Sequence, residues 1–139
     1  MFPQISLFLP NKPGEFSKFL DLLIENKIEI RAITVAESDE YGLLLILVDK
    51  PMECIELLDQ NEIPATVTDV IAVKIDSQKN TFALKNIAEL LGKNNVNIEY
   101  LYSTLVKDQS LIILRVSDNK MAMELLKNEG YLLEERKSF

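Results

Sequence analysis

The sequence predicts an α+β protein in which one small β-α-β-β-α-β unit is used twice. Two observations carry this. The first is an internal repeat. Sliding the 139-residue chain against itself gives a signal at an offset of 68 residues, without gaps. Leu22-Leu23 falls on Leu90-Leu91, Asn26 on Asn94, Ile30 on Ile98, Leu43 on Leu111, Val48 on Val116, and Glu56-Leu57-Leu58 on Glu124-Leu125-Leu126. Similar apolar pairs add to these identities, among them Ile5/Val73, Leu7/Ile75, Phe16/Leu84, Phe19/Ile87, Ile28/Val96 and Ile33/Leu101. A unit of this length is too long for a solenoid repeat and reads as a duplicated small domain. The second observation is that both copies present the same order of hydrophobic periodicities.

In the first copy, residues 4–9 alternate and predict a strand. Pro13 and Gly14 open a helix over Glu15–Asn26, with Phe16, Phe19, Leu20 and Leu23 at helical spacing. Residues 29–37 are β-branched and alternating, hence a strand; Asp39-Glu40-Tyr41-Gly42 reads as a turn, and Leu43–Val48 as the partner strand. Pro51 suits the first turn of a second helix, 51–61, where its missing N–H costs nothing. A strand over 65–70 closes the copy. The second copy repeats the order with strand 71–76, helix 81–94, strands 98–106 and 110–117, helix 119–129 and strand 131–136. This is the ferredoxin-like split βαβ arrangement. Right-handed crossovers then place both helices of a copy on one face of an antiparallel sheet. The expected domains are residues 1–69 and 70–139. Residues 65–76 hold no Gly, Pro or Ser, so the last strand of the first copy is expected to run directly into the first strand of the second.

Alternation assigns Ile5, Leu7, Leu9, Ile33, Val35, Leu44, Ile46 and Val48 to the helix-facing side in the first copy. Val73, Ile75, Leu101, Ile112, Leu114 and Val116 take the same side in the second. The opposite side still carries Phe8, Leu43, Leu45, Leu47, Leu111 and Ile113, too much apolar surface to leave in water. A second copy of the chain is expected to cover it, giving a homodimer.

Composition excludes several functions. Fifteen Lys and Arg against 22 Asp and Glu give a net charge of −7, which disfavours a nucleic-acid partner. There is no His, so Ser-His and Cys-His dyads and the common zinc sets are absent. Cys54 is the only cysteine, which rules out an intrachain disulfide or a CxxC site and suits a small apolar role in a helix. The longest apolar run, Leu43–Val48, is far short of a membrane span, and the first ten residues lack a basic leader region, so no membrane association and a cytoplasmic location are expected. The pairs Asp39-Glu40 and Glu134-Glu135 lack a clustered third ligand and read as solvated acids. Tyr100 and Tyr102 share a strand face, either as a stacking platform or as packing.

One segment has the chemistry of a binding site: Asn11-Lys12-Pro13-Gly14-Glu15-Phe16, between a strand end and a helix start. A helix N-terminus offers unpaired N–H groups to an anion. Gly14 permits close approach of a ligand to the backbone. Asn11 offers both an acceptor and donors, suited to a zwitterion. The same residues also read as loop-to-helix punctuation, with Asn11 as the cap, and chemistry alone leaves both readings open.

The Asn11–Phe16 loop, the 68-residue split βαβ unit, Ile30–Gly42 (IRAITVAESDEYG) and Ile98–Ser103 (IEYLYS) together resemble the ACT domain, and the likeness to small proteins made of two tandem ACT domains covers essentially the whole chain. The resemblance implies a non-catalytic regulatory module that binds a free amino acid, without a cofactor or metal. It implies a ligand held between neighbouring ACT domains, touched by the loop of one and the second strand of the other. Carried over, the loop residues are Asn11, Lys12, Pro13, Gly14, Glu15 and Phe16. The strand candidates are Ile98, Tyr100 and Tyr102, with Ile33 and Thr34 in the corresponding strand of the first copy. The second copy departs from the pattern, with Thr81 and Phe82 where Pro13 and Gly14 stand in the first. Phe82 is expected to fill its pocket, leaving one competent site per chain. Two other roles stay open: a regulatory subunit of an amino-acid biosynthetic enzyme of the acetolactate-synthase kind, and a structural oligomeriser that has lost binding.

Overall fold

The protein is described by a computed structural model covering residues 1–37, 41–106 and 109–134. The expected elements are present: β1 (Phe2–Pro10), α1 (Glu15–Glu25), β2 (Ile30–Glu37), β3 (Tyr41–Val48), α2 (Pro51–Gln60), β4 (Ala65–Asp76), α3 (Asn80–Lys93), β5 (Ile98–Val106), β6 (Gln109–Val116), α4 (Asn119–Asn128) and β7 (Leu132–Leu133). A single 3-10 turn over Ser77–Lys79 precedes α3. The fold is α+β, a pair of ferredoxin-like units. The expected run-on strand is a single element, β4, twelve residues long. The closing strand, expected over 131–136, is Leu132–Leu133; residues 135 and 136 lie outside the described residues.

The chain divides into two compact units, one spanning Pro3–Thr68 and one that begins at Asp69 and also takes in Met1–Phe2. In the first unit the strand order is β2-β3-β1, with β4 beside β1; in the second it is β5-β6-β4, with β7 on β4. The pairs β1–β3, β2–β3, β4–β6, β5–β6 and β4–β7 are antiparallel. Each unit has its own core. In the first, Ile5, Leu7, Leu44 and Ile46 of the sheet meet Phe19 and Leu23 of α1 and Cys54 and Leu58 of α2. In the second, Ile71, Val73, Ile112 and Leu114 meet Ile87 and Leu91 of α3 and Ala122 and Leu126 of α4.

The repeated Asn has a mechanical reason. At the end of α1, Asn26 Nδ2 donates to Leu22 O at 2.8 Å, and at the end of α3, Asn94 Nδ2 donates to Leu90 O at 2.9 Å. All four helices stop in the same way. A left-handed residue follows the last turn: Lys27 (φ 56°), Glu62 (φ 56°), Asn95 (φ 61°) and Gly130 (φ 86°). The next residue returns its N–H to a buried leucine five positions back, as from Ile28 to Leu23 O (3.0 Å) and from Val96 to Leu91 O (2.9 Å). This is the Schellman stop, with its apolar contact pointed into the core. The identities Leu23/Leu91 and Asn26/Asn94 therefore mark where a helix ends and what it ends on.

Two expectations need correction. Ile33, Val35 and Leu101 lie on the helix-facing side by register, opposite Ile46, Leu44 and Leu114, yet they are exposed. β2 and β5 are edge strands, and two helices do not reach across to them. Conversely, Ala32, Leu47, Ala72, Leu111 and Ile113, on the side turned from the helices, are each 3% exposed or less within one chain. Phe8, on the same side, is 42% exposed, so this face is buried in part and open in part.

Glu134, read as a solvated acid, is 2.7 Å from Lys74 Nζ and mostly buried. Asp39, Glu40 and Glu135 lie outside the described residues.

Cys54 is fully buried in the first core. Burial, and secondarily Asp49, pushes its thiol up from 9.0 to about 11. The fold therefore favours the protonated thiol, so this contribution to stability is whole below pH 9 and is lost as pH rises through 11. At pH 8 the native protein is expected to leave Cys54 unmodified by an aromatic disulfide reagent, whereas denatured chains react fully. Cys54→Ala should flatten the decline in melting temperature between pH 9 and 11.

Candidate functional site

The loop between β1 and α1 is held open by its own backbone. After Pro10, the Lys12 N–H donates back to Pro10 O at 2.9 Å. The Glu15 N–H then donates to Lys12 O at 3.3 Å, closing a turn over Lys12-Pro13-Gly14-Glu15. Gly14 sits at φ 87°, ψ −14°, the third-position conformation of a type II turn, for which Pro followed by Gly is the favoured pair. Gly14 is also the cap of α1 and has no side chain to offer it. The alternative in which Asn11 takes the cap position is not what the fold uses. The first helical bond runs from Lys18 N–H to Gly14 O at 3.0 Å, so the N–H groups of Phe16 and Ser17 have no carbonyl of their own helix to meet.

Beneath this loop lies a cavity of about 340 Å³. Leu9 and Pro10 form one wall, and Asn11 and Lys12 bring the loop's polar groups to it. Phe16 covers it from the first turn of α1, and Val35, Gly42 and Leu44 form the sheet side. The volume falls at the small end of small-molecule sites, roughly 300–1,000 Å³. Among the described residues that line it, Lys12 alone carries a charge. Phe16 and Val35 are 41% and 54% exposed, so the cavity opens toward the free edge of β2.

Three of the expected loop residues, Asn11, Lys12 and Phe16, line this cavity, while Pro13, Gly14 and Glu15 shape the turn beside it. Glu15 also pairs with Lys18 at 3.6 Å. On β2 the cavity takes Val35; Ile33 lies on the same side further along, and Thr34 faces the other way, opposite Leu45. Gly42 is not the turn residue that the sequence predicts. It belongs to β3, opposite Leu9 and Glu37, and the space above it helps to form the cavity floor. A glycine inside a strand commonly marks a close approach, which was the signal available for it.

The strand candidates of the second unit do not share a face. A bulge between Ile98 and Tyr100 leaves Ile98 packed on the second core. Tyr100 and Tyr102 stand opposite Arg115 and Ile113, on the side turned from the helices. The same bulge occurs in the first unit between Ile30 and Ala32. Burial raises the Tyr102 phenol well above its usual range, with Tyr100 adding to the effect, so it stays protonated. Arg115 Nε meets Glu99 Oε2 at 3.2 Å.

In the second unit the loop is gone. The Asp76 side chain accepts the Gln78 N–H at 3.1 Å and starts the 3-10 turn, and α3 begins at Asn80, three residues before the position that matches the start of α1. Phe82 does not fill a pocket as expected. It is 68% exposed, because the earlier helix start carries its side chain outward. The position matching Gly42 is Ser110, which is buried. Among the described residues, no group of three His, Cys, Asp or Glu could hold a metal ion, and no helix is long and apolar enough to cross a membrane.

A family profile described as an ACT domain pair matches residues 1–138. Among solved structures, protein BT0572 from Bacteroides thetaiotaomicron is similar at 27% identity and a TM-score of 0.88, covering 96% of this chain and 91% of that one. The regulatory subunit of aspartate kinase from Thermus thermophilus, in its ligand-free form, gives 19% identity and a TM-score of 0.67, covering 91% of each chain. The aspartate kinase of Clostridium acetobutylicum gives 13% and 0.61, with 91% of this chain matching 32% of that enzyme. No curated protein matches.

Gly14 has nothing within 4 Å of where a Cβ would stand, so its constraint is conformational rather than steric. Gly14→Ala is expected to lower stability by about 1–2 kcal/mol through the left-handed backbone alone. Gly92→Ala, equally uncrowded but helical, should raise it by about 0.5–1 kcal/mol. Urea denaturation of both variants checks the opposite signs.

Proposed function

The chain belongs to the ACT domain pair family, and from that premise we propose that it is a non-catalytic regulatory module whose first unit binds a free amino acid beneath the Asn11–Phe16 loop. The observation that carries this reading is the cavity, with Asn11 and Lys12 at its polar side and the open first turn of α1 beside it. The ligand carboxylate goes to Lys12 and the free N–H groups of the helix start, a charge-assisted arrangement. The Asn11 amide serves the ligand head group. Charge also favours a zwitterion over a plain anion. Residues 1–68 hold five Lys and Arg against twelve Asp and Glu, so the unit as a whole repels a net negative ligand and is indifferent to a neutral one.

The open side of the cavity, at Phe16 and Val35, supports a further part of the reading. A second copy of the chain closes it, bringing its edge strand β5, with Tyr100, against the free edge of β2 at Ile33 and Thr34. The homodimer is thus proposed from the open cavity. The protein acts in the cytoplasm and needs no cofactor.

A thermal-shift screen against the twenty amino acids tests this. A ligand at 100 times its dissociation constant adds about 2.7 kcal/mol, a rise of several degrees. Lys12→Ala should weaken the bound amino acid tenfold or more, in line with roughly 1.5–3 kcal/mol for a hydrogen bond to a charged group. A flat screen overturns amino-acid binding. A sedimentation mass of one chain at saturating ligand overturns the closing second copy.

A further inference from the structure

The side chains around the cavity say which amino acids it accepts, an inference that rests on the amino-acid reading above. We infer that the cavity takes an amino acid with an uncharged, apolar side chain, and that Gly42 sets how long that side chain can be. Lys12 lies on the exposed loop, so the charged head group of a ligand stays at the mouth. Beyond it a ligand meets the buried Leu9 and Leu44, with Phe16 and Val35 along the open side, and none of the four offers a side-chain hydrogen bond. A carboxylate, ammonium or hydroxyl carried against Leu9 and Leu44 loses water there and gains no side-chain partner from these four residues, while Asn11 and Lys12 serve the head group.

Gly42 marks the depth. It lies in β3 opposite Leu9, where a Cβ would stand 4.0 Å from both Leu44 Cδ1 and Leu9 O, at ordinary contact. A side chain at this position is therefore sterically tolerated, and it would occupy ligand space. The matching residue of the second unit, Ser110, has a side chain there, and that unit has no open loop above it. Together the apolar walls and the strand glycine describe a slot for a hydrocarbon of limited length.

The test is calorimetric titration with a homologous series: alanine, 2-aminobutyrate, norvaline and norleucine, with glutamate and lysine as charged counterparts. Affinity should rise about fourfold for each added methylene, then stop when the chain meets the floor. Glutamate and lysine should bind at least tenfold more weakly than norleucine. Gly42→Ala should move the stopping point to a shorter side chain, and Gly42→Val should move it further. Circular dichroism and melting temperature verify that both variants fold, and Gly42→Ala alone suffices if the valine variant does not. Charged amino acids binding as tightly as norleucine would overturn the apolar slot while leaving an amino-acid site in place. An unchanged stopping point in Gly42→Ala would overturn the role of Gly42. Binding of no amino acid at all would instead remove the reading on which the inference stands.

Discussion

Gly14 can hold a positive φ without cost, and the loop at the centre of this protein depends on that. Pro13 presets the turn, Gly14 completes it, and α1 can begin only at Glu15. Four residues, Asn11 to Gly14, are thereby kept out of the helix, and a cavity remains between them and the sheet. In the second unit Thr81 and Phe82 stand where Pro13 and Gly14 do, the helix winds back to Asn80, and a 3-10 turn takes up the intervening chain. The same fold, built twice, therefore carries an open loop once. All six loop positions differ between the units, and the part that holds the first loop out of its helix is the Pro13-Gly14 turn, whose left-handed position has an energetic scale of about 1–2 kcal/mol.

The rest of the duplication is conserved in mechanics more than in identity. Each helix ends on a left-handed residue and returns an N–H to a leucine of the core. Three of these four left-handed positions are not glycine: Lys27, Glu62 and Asn95. The cost of that conformation is offset by burying the leucine and satisfying its carbonyl. Both second strands carry a bulge at the same place, before Ala32 and before Tyr100. The stops and bulges define the frame, and the loop after β1 is where the two units part.

Much of this frame was legible in the sequence. The repeat, the element order and the run-on strand β4 follow from periodicity and from the absence of Gly, Pro and Ser between residues 65 and 76. Asn11, Lys12 and Phe16 were legible as candidates because a strand end, a Pro-Gly and a helix start coincide there. Val35 was assigned to the correct side of its strand but to the core, since alternation reports which way a side chain points and not whether a helix reaches that strand. Gly42 read as a turn residue because glycine in a polar stretch looks the same whether it bends the chain or leaves room for a ligand. Phe82 points outward against expectation because its direction depends on where α3 starts, which no single residue reports. The burial of Leu111 and Ile113 within one chain is a tertiary property that alternation cannot supply.

The central claim is that one loop, in one of two similar units, carries the site. Backbone amide shifts of the isotopically labelled protein, followed through a titration with the amino acid that stabilises it most, test this directly. Shifts are expected at the non-proline residues of Leu9–Ser17 and around Val35 and Gly42, with Lys79–Leu84 unmoved. Equal shifts at Lys79–Leu84, or shifts there alone, would contradict it.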